Sequence, residues 1–563
     1  MKEIMKKQIL ISTLFLLFIT SCSDFLQEEP KALFSSGNFL NNEEGLEAGI
    51  LGVYDELRGF YSLEASAAMY LGTDEGATKW ESSHRYEFDA YAWSTESYYL
   101  SDMWLNHYTV ISRANLLIND APNPGVIEQA VIDRIVAEAK FLRALSYFRL
   151  VQLWGPVPVT LGTEAEELPR ESVGKVYELV VQDLIDATQG ALPVAKSASQ
   201  AGRVTHYAAK SLLGKVYLTM ASYKKYGTTF EGLMSQAGKS EYGYQASITE
   251  SASELYNKSS QVLEEVIGSG TYELLDNYAD VFVIENKNLN KESIFEVQFS
   301  EQTGGPWSKE LGYPIWPPFG VEVTTWAGHT FNKPPASLIL FYAQNGDQRL
   351  EYNMPSDFID GWDANLDNRF LNEREGFSDP GATYENMINT GNNHYAYAGF
   401  GKYRWGAEPN QNHGYSGGID VPTNGLMMRY ADVLLMYAEA SLEANGSATQ
   451  QGLDAINEVR NRARGFNISP ADTPEFPNLT LSDLTLDEIM DERLRELCIE
   501  HYRKFDLLRT NKLQEAIYTR KPTNWPYMTG PISIDNNKWL YPIPQSEIDV
   551  VVDKENLWQN PGY

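Results

Sequence analysis

Apolar residues recur at three- and four-residue spacing through one long stretch of this chain after another. A chain patterned that way has to bury its faces helix against helix. Leu46, Ile50, Val53, Tyr54 and Leu57 mark the first run, ahead of Gly59, with Asn41 and Glu44 reading as its capping pair. The same spacing predicts helices over residues 102–119, 129–153, 173–191, 205–223, 252–268, 426–444, 451–464 and 486–508. The fold class is therefore mainly α. Several runs come in pairs, and Leu213-Gly214-Lys215-Val216-Tyr217 carries the L-G-x-x-Y core of a tetratricopeptide (TPR) helix, where glycine admits a second helix closely. Related small-and-aromatic spacing recurs over residues 137–148 and 430–440. Such pairs stack side by side, so the expected frame is a TPR-like helical-pair scaffold. Between about residues 272 and 425 the helical period fades and Gly, Pro, Asn and aromatics take over, with a few strands expected, such as one at 293–299. That stretch reads as a loop-rich elaboration carried on the helices.

The N-terminus has a basic start (Lys2, Lys6, Lys7), an apolar run over 9–19 and then Thr20-Ser21-Cys22, the layout of a secretory signal over residues 1–21. No later stretch supplies the roughly 18 apolar residues of a membrane helix. Ile19-Thr20-Ser21-Cys22 resembles the bacterial lipobox, which makes Cys22 the expected lipid attachment point. The acidic stretch that follows, with Pro30, reads as a tether. Cys498, the other of the two cysteines, lies at helical spacing among apolar residues and is expected to be a buried free thiol.

Against 45 Lys plus Arg stand 76 Asp plus Glu, a formal charge of −31, and this excludes a phosphate-backbone binder; no nucleic-acid partner is expected. Tyrosines number 34 against 23 phenylalanines, which points to many rings with a wet hydroxyl edge and so to a ligand.

The most specific motifs lie in the C-terminal third. They are Arg429-Tyr430-Ala431-Asp432 with Leu434 to Ala440, Ile456-Asn457-Glu458-Val459-Arg460, Asp491-Glu492-Arg493-Leu494-Arg495-Glu496-Leu497, and Asp506-Leu507-Leu508-Arg509. Tyr541-Pro542-Ile543-Pro544 and the terminal Asn560-Pro561-Gly562-Tyr563 complete the series, and Leu153-Trp154-Gly155-Pro156 stands earlier. Together these resemble the SusD/RagB family of surface glycan-binding lipoproteins of the Bacteroidetes. The resemblance implies a SusD-like α/α fold and a lipid anchor on the outer face of the outer membrane. It also implies a SusC-like TonB-dependent transporter as partner, an oligosaccharide or polysaccharide as ligand, and no catalysis. The expected organisation is a signal peptide over 1–21, a lipidated N-terminus and tether over 22–40, an N-terminal helical part with TPR-like pairs over 41–271, the elaboration over 272–425, and a C-terminal part over 426–563. The Arg and Glu residues of the motif, three and four apart, are expected to form a structural ion-pair lattice.

A protein that holds sugar needs aromatic faces for the C–H surfaces of the rings and planar polar groups for the hydroxyls. Two segments offer both. In residues 74–108 the expected ligand contacts are Trp80, Tyr86 and Trp93, with Asp74 and Arg85 as polar partners, while Trp104 and Tyr108, four apart on a helix, read as core. In residues 306–331 they are Trp307, Trp316 and Trp326, between Gly and Pro. Tyr395, Tyr397, Tyr403, Trp405 and Tyr415 form a third group.

Other motifs are declined. Gly414-Tyr415-Ser416-Gly417-Gly418 matches G-x-S-x-G but lacks the strand and helix of a nucleophile elbow. The glycines before Lys239-Ser240 have the wrong spacing for a P-loop. Asp363, Asn365 and Asp367 alternate like a calcium loop, without its glycine or its terminal carboxylate, and mark where a structural calcium would sit if one is bound. The histidines form no zinc motif. Two other classes stay open: a glycoside hydrolase, which needs two carboxyl groups about 5–10 Å apart, and a TPR-like protein–protein adaptor.

Overall fold

The computed structural model describes residues 40–61, 63–78, 86–121, 127–163, 167–197, 200–282, 288, 290–299, 332–333, 335–344, 346–354, 402, 424–465, 476–520 and 534–563. Besides a single helical turn at Tyr244–Ser247, its helices are α1 (Glu43–Glu56), α2 (Leu63–Tyr70), α3 (Tyr86–Asp89), α4 (Tyr98–Asn119), α5 (Gln129–Trp154), α6 (Val173–Gln189), α7 (His206–Tyr226), α8 (Thr228–Gln236), α9 (Ala252–Gly268), α10 (Ala336–Gln344), α11 (Arg349–Asn353), α12 (Tyr430–Asn445), α13 (Gln450–Arg464), α14 (Leu486–Leu497), α15 (Arg503–Arg509), α16 (Leu513–Thr519) and α17 (Gln545–Val550). Three short antiparallel pairs join them: β1 (Ala77–Thr78) with β5 (Asn332–Lys333), β2 (Val157–Pro158) with β3 (Arg170–Glu171), and β4 (Ser293–Val297) with β6 (Gly425–Arg429).

The helices pack in succession, α1 on α4, α4 on α5, α5 on α6, α6 on α7, α7 on α9, α9 on α12, and α12 on both α13 and α14. That order is the mainly α, helical-pair frame the periodicity predicts. On α4 the buried residues Leu100, Met103, Trp104, His107, Val110, Ile111, Ala114 and Leu117 keep one face inward. Side chains close the helix starts. Thr205, Thr449 and Thr485 accept from the N–H three residues on, and Ser251 and Glu254 form a reciprocal capping box.

Gly214 is the point of closest approach between α7 and α9. A Cβ there would come within 2.6 Å of Leu263 Cδ2, and the Ser259 hydroxyl donates to the Gly214 carbonyl at 2.8 Å. Gly214→Ala should therefore destabilise the protein by about 1–3 kcal/mol through overpacking, despite alanine's better helix propensity. Urea unfolding checks this, and a stabilised variant would contradict the close-approach reading.

Three local expectations need correcting. The cap of α1 is Asn42, whose side chain accepts from the Gly45 N–H, rather than Asn41 with Glu44. The run from Leu426 to Arg429 is strand β6, because a short continuous apolar stretch has no period to separate strand from helix. The helix expected over 486–508 is broken after Leu497. Ile499 and His501 adopt positive φ (56° and 66°), since this backbone serves tertiary partners: the Ile499 N–H donates to Glu75 at 2.5 Å and the Cys498 carbonyl accepts from Lys402 at 2.9 Å. Cys498 itself is a buried free thiol, as its spacing indicates.

The C-terminal motif forms the expected ion-pair lattice, fully buried. Glu496 accepts from Arg349 (2.7 Å), Arg429 (2.5 Å) and Arg462. Glu492 accepts from Arg349 (2.7 Å), Arg460 (2.8 Å) and Arg495 (3.1 Å), and Glu292 bridges Arg429 and Arg462 at 2.7 Å each. A second cluster joins Arg493 to Asp432 (2.9 Å) and Asp506 (2.7 Å), with Arg509 on Asp506 and Glu439. Burial alone would raise the Glu492 carboxyl; Arg349, Arg460 and Arg495 outweigh it and hold it at about 2. Glu488, placed for a reciprocal capping box with Thr485, gives its carboxylate to Arg460 and Arg495 instead.

Candidate functional site

The turn after α2 sets the geometry of the face at which the described ends of the aromatic segments meet. Gly72 takes φ +72°, and a Cβ there would meet the Phe88 carbonyl at 2.5 Å. The Thr73 hydroxyl donates to the Tyr70 carbonyl (2.6 Å) and accepts from the Glu75 N–H (3.1 Å), fixing the turn that presents Asp74. Asp74 accepts two bonds from Arg503, from Nε at 2.9 Å and Nη2 at 2.6 Å, while Arg503 Nη1 donates to the Met490 carbonyl at 3.0 Å. Asp491 lies close enough to Arg503 to feel its charge, yet burial still raises its carboxyl.

Directly after this turn β1 pairs with β5, Ala77 opposite Lys333 and Thr78 opposite Asn332. Thr78 precedes the segment holding Trp80 and Arg85, and Asn332 follows the segment holding Trp307, Trp316 and Trp326. The described ends of the two aromatic segments thus meet in one short ladder. A third chain end joins them. Arg520 donates to Asp89 (2.6 Å) and to the Gly76 carbonyl (3.1 Å), and the residues after it include Pro522, Trp525, Pro526 and Tyr527. Sequence reasoning passed over that third segment, although its mix of proline and aromatics is the one that marks residues 306–331.

The site residues expected from sequence fall into three groups. Trp80, Arg85, Trp307, Trp316 and Trp326, the calcium-like loop at Asp363, Asn365 and Asp367, and Cys22 lie outside the described residues. Asp74 and Tyr86 are at the face: Asp74 is partly exposed in its ion pair and Tyr86 is half-buried at the start of α3. Trp93 requires correction as a ligand contact. It is 2% exposed, packed against Tyr91 and edge-on to Tyr541, and its Nε1 donates to the Tyr563 hydroxyl. Its polar neighbours in the sequence conceal a ring buried by the C-terminus. Trp104 is core, as expected. Among the described residues the large aromatic side chains most open to solvent are Tyr98, 72% exposed, and Tyr518, 70% exposed and two residues before the Arg520 clamp.

Comparison with known proteins settles the ancestry of this frame. Residues 291–563 match the model of the SusD family, and residues 24–218 match that of a second SusD-like group described as starch-binding and associating with the outer membrane. The chain belongs to the SusD/RagB family. A SusD-like protein of Bacteroides ovatus is 25% identical over 525 residues, covering 90% of this chain and 83% of the relative. The starch-binding protein SusD of Bacteroides thetaiotaomicron is 23% identical over 530 residues, covering 88% and 84%. Among solved structures, surface glycan-binding protein A of Bacteroides thetaiotaomicron in complex with laminarihexaose superposes with a TM-score of 0.64 at 20% identity, covering 92% of this chain and 99% of that one. That last likeness is one of fold. The SusD helical frame accounts for the order in which α1, α4 to α7, α9 and α12 pack.

Proposed function

We propose that this SusD-family protein is a non-catalytic cell-surface receptor that captures an oligosaccharide or polysaccharide and passes it to a SusC-like TonB-dependent transporter for import. In this reading Cys22 carries the lipid that holds it to the outer face of the outer membrane. Among the described residues no helix is long and apolar enough to cross a membrane. The observation that carries the proposal is the ladder of β1 with β5, which gives two aromatic-rich segments a common base beside Asp74, Arg503 and Arg520. The names of a starch-binding relative and a laminarihexaose-bound structural neighbour point the same way. A charge of −31 disfavours highly sulfated or uronic polymers as the ligand.

Three described carboxyl groups beside the ladder are committed to the frame. Asp74 is engaged on both oxygens by Arg503, Asp89 is bonded to Arg520, and Glu75 is fully buried. None is arranged as the free acid and base that glycoside cleavage uses.

Calorimetry with laminarin and starch oligosaccharides tests the reading. Alanine at Trp80 or Trp316 should weaken binding of the recognised glycan at least about tenfold, since lost stacking and burial of one ring exceeds 1.4 kcal/mol. New reducing ends on incubation with that glycan would establish an enzyme instead. Unchanged affinity in both variants would remove these rings from the site, and no saccharide binding at all would leave the TPR-like adaptor role.

A further inference from the structure

The exposed apolar side chains of this molecule gather around one helix. Among the described residues nine large hydrophobic side chains stand well out in solvent, and six of them, Leu51, Tyr98, Leu105, Leu161, Val550 and Val552, lie on α4 or beside it. Tyr98 and Leu105 are seven positions apart and half-buried Leu116 is eleven further on, so the three share one outward stripe of the helix. On one side α1 borders the stripe, where Arg113 donates to the Gly52 carbonyl at 2.7 Å, next to Leu51. On the other side lie the loop after β2 and helix α17. Asn119 donates to the Leu161 carbonyl at 2.7 Å, the Ser101 and Ser546 hydroxyls meet at 3.3 Å, and the Gln545 N–H donates to the Thr95 carbonyl at 2.8 Å. The wall so formed follows α4 for its 22 residues, about 33 Å. Single exposed apolar residues are ordinary, but a row of them marks a surface that meets a partner.

Two features of the wall select its occupant. Its rim is acidic: Glu96, Asp102, Asp120, Asp549 and Asp553 are exposed, whereas Arg113 is engaged by Glu56 (2.9 Å) and Lys554 by the Ile548 carbonyl. An anionic lipid surface, or the same wall on a second copy, would therefore meet like charge. The wall is also where the N-terminal tether joins the fold. Leu40, the first described residue, is buried in the seam between α1 and α4, where a Cβ on Gly49 would meet Leu117 at 2.9 Å and Leu40 at 3.5 Å. Cys22 precedes Leu40 by only 18 positions.

We infer that the α4 wall docks on an outer-membrane protein whose contact surface is apolar at its centre and basic at its rim. The inference rests on the reading given above, in which that protein is the SusC-like transporter and Cys22 carries the anchor; the wall is the surface through which the two are held. Apolar burial along Tyr98, Leu105 and Val552 supplies the attraction, and the acidic rim sets the orientation and rejects lipid and like-charged partners.

Immunoprecipitation of the full lipidated chain from detergent-solubilised outer membranes tests this. The parent chain should bring down a TonB-dependent transporter. The double variant Leu105→Arg, Val552→Arg places two cations at the centre of the wall and should lower the transporter recovered per chain at least about tenfold. Both side chains already stand in solvent, so the variant should keep the parent's unfolding midpoint. Val194→Arg, at an exposed apolar position in the loop between α6 and α7, should leave recovery unchanged. A benzophenone side chain in place of Leu105 should crosslink to the transporter on irradiation. Full recovery with the double variant, or a benzophenone that joins only lipid or a second copy, would overturn the wall while leaving the transporter reading intact. A parent chain that recovers no transporter would refute that reading and the wall's assignment with it.

Discussion

Glu496→Ala should destabilise the protein by at least about 3–5 kcal/mol, the range for removing one partner of a buried ion pair. Three arginines converge on this carboxylate with no exposure to solvent, and the Glu496 carbonyl accepts in addition from Lys402 (2.8 Å) and Arg429 (2.6 Å). Burial pushes the Glu496 carboxyl up, but Arg462, Arg429, Arg349 and Lys402 carry it far below the ordinary carboxylate range. Alanine would leave those cations facing one another in a low-dielectric interior. By contrast Lys175→Ala, in the exposed pair with Glu178 (64% and 68% exposed), should leave the urea midpoint essentially where it is. Urea titrations of both variants decide the point, and a Glu496→Ala protein within 1 kcal/mol of the parent would refute a structural lattice. The lattice also fixes the acid limit. Glu492 and Asp506, both at about 2, lie below their unfolded values. The stability they contribute is complete above about pH 4.5 and is lost as pH falls towards 2.

Glu75→Gln should act in the opposite direction, stabilising the protein at alkaline pH. Glu75 is fully buried beside Asp74; its Oε1 accepts from the Ile499 N–H at 2.5 Å and its Oε2 has no partner. Burial pushes its carboxyl up to about 8, with the Asp74 charge adding to the effect. Because this folded value lies above the unfolded one, ionisation penalises the folded state. The penalty is absent below about pH 4.5 and grows by about 1.4 kcal/mol per pH unit until the pH reaches about 8. Glutamine keeps an acceptor for the Ile499 N–H and cannot ionise. The variant should therefore match the parent at pH 4.5 and exceed it by roughly 4 kcal/mol at pH 8. Unfolding curves at pH 4.5, 6 and 8 measure this, and parallel pH profiles for the two proteins would contradict a proton held on Glu75.

The helical frame was legible because three- and four-residue spacing reports directly on which side of a helix faces inward, and the Arg and Glu spacing of residues 488–496 reported the lattice in the same way. Its other members were not legible. Arg349 and Lys402 come from the stretch without helical period, and nothing local marks a side chain that travels to the core. The break at Cys498 to Tyr502 was missed because its cause, a bond from Ile499 to Glu75, spans 424 positions. Trp93 was misread for the same reason, since Tyr563, which receives its indole N–H, lies 470 positions away. At the candidate site the sequence disclosed the aromatic segments by composition, but the Arg503 and Arg520 clamps that hold their base together became visible only in three dimensions.

The joint between Thr78 and Asn332 fixes the start of one aromatic-rich segment and the end of the other, whatever their length. Closing a longer flexible insertion costs only about 0.6 kcal/mol per doubling of its residues. Descendants of this scaffold can therefore exchange, lengthen or prune those segments almost independently of the frame.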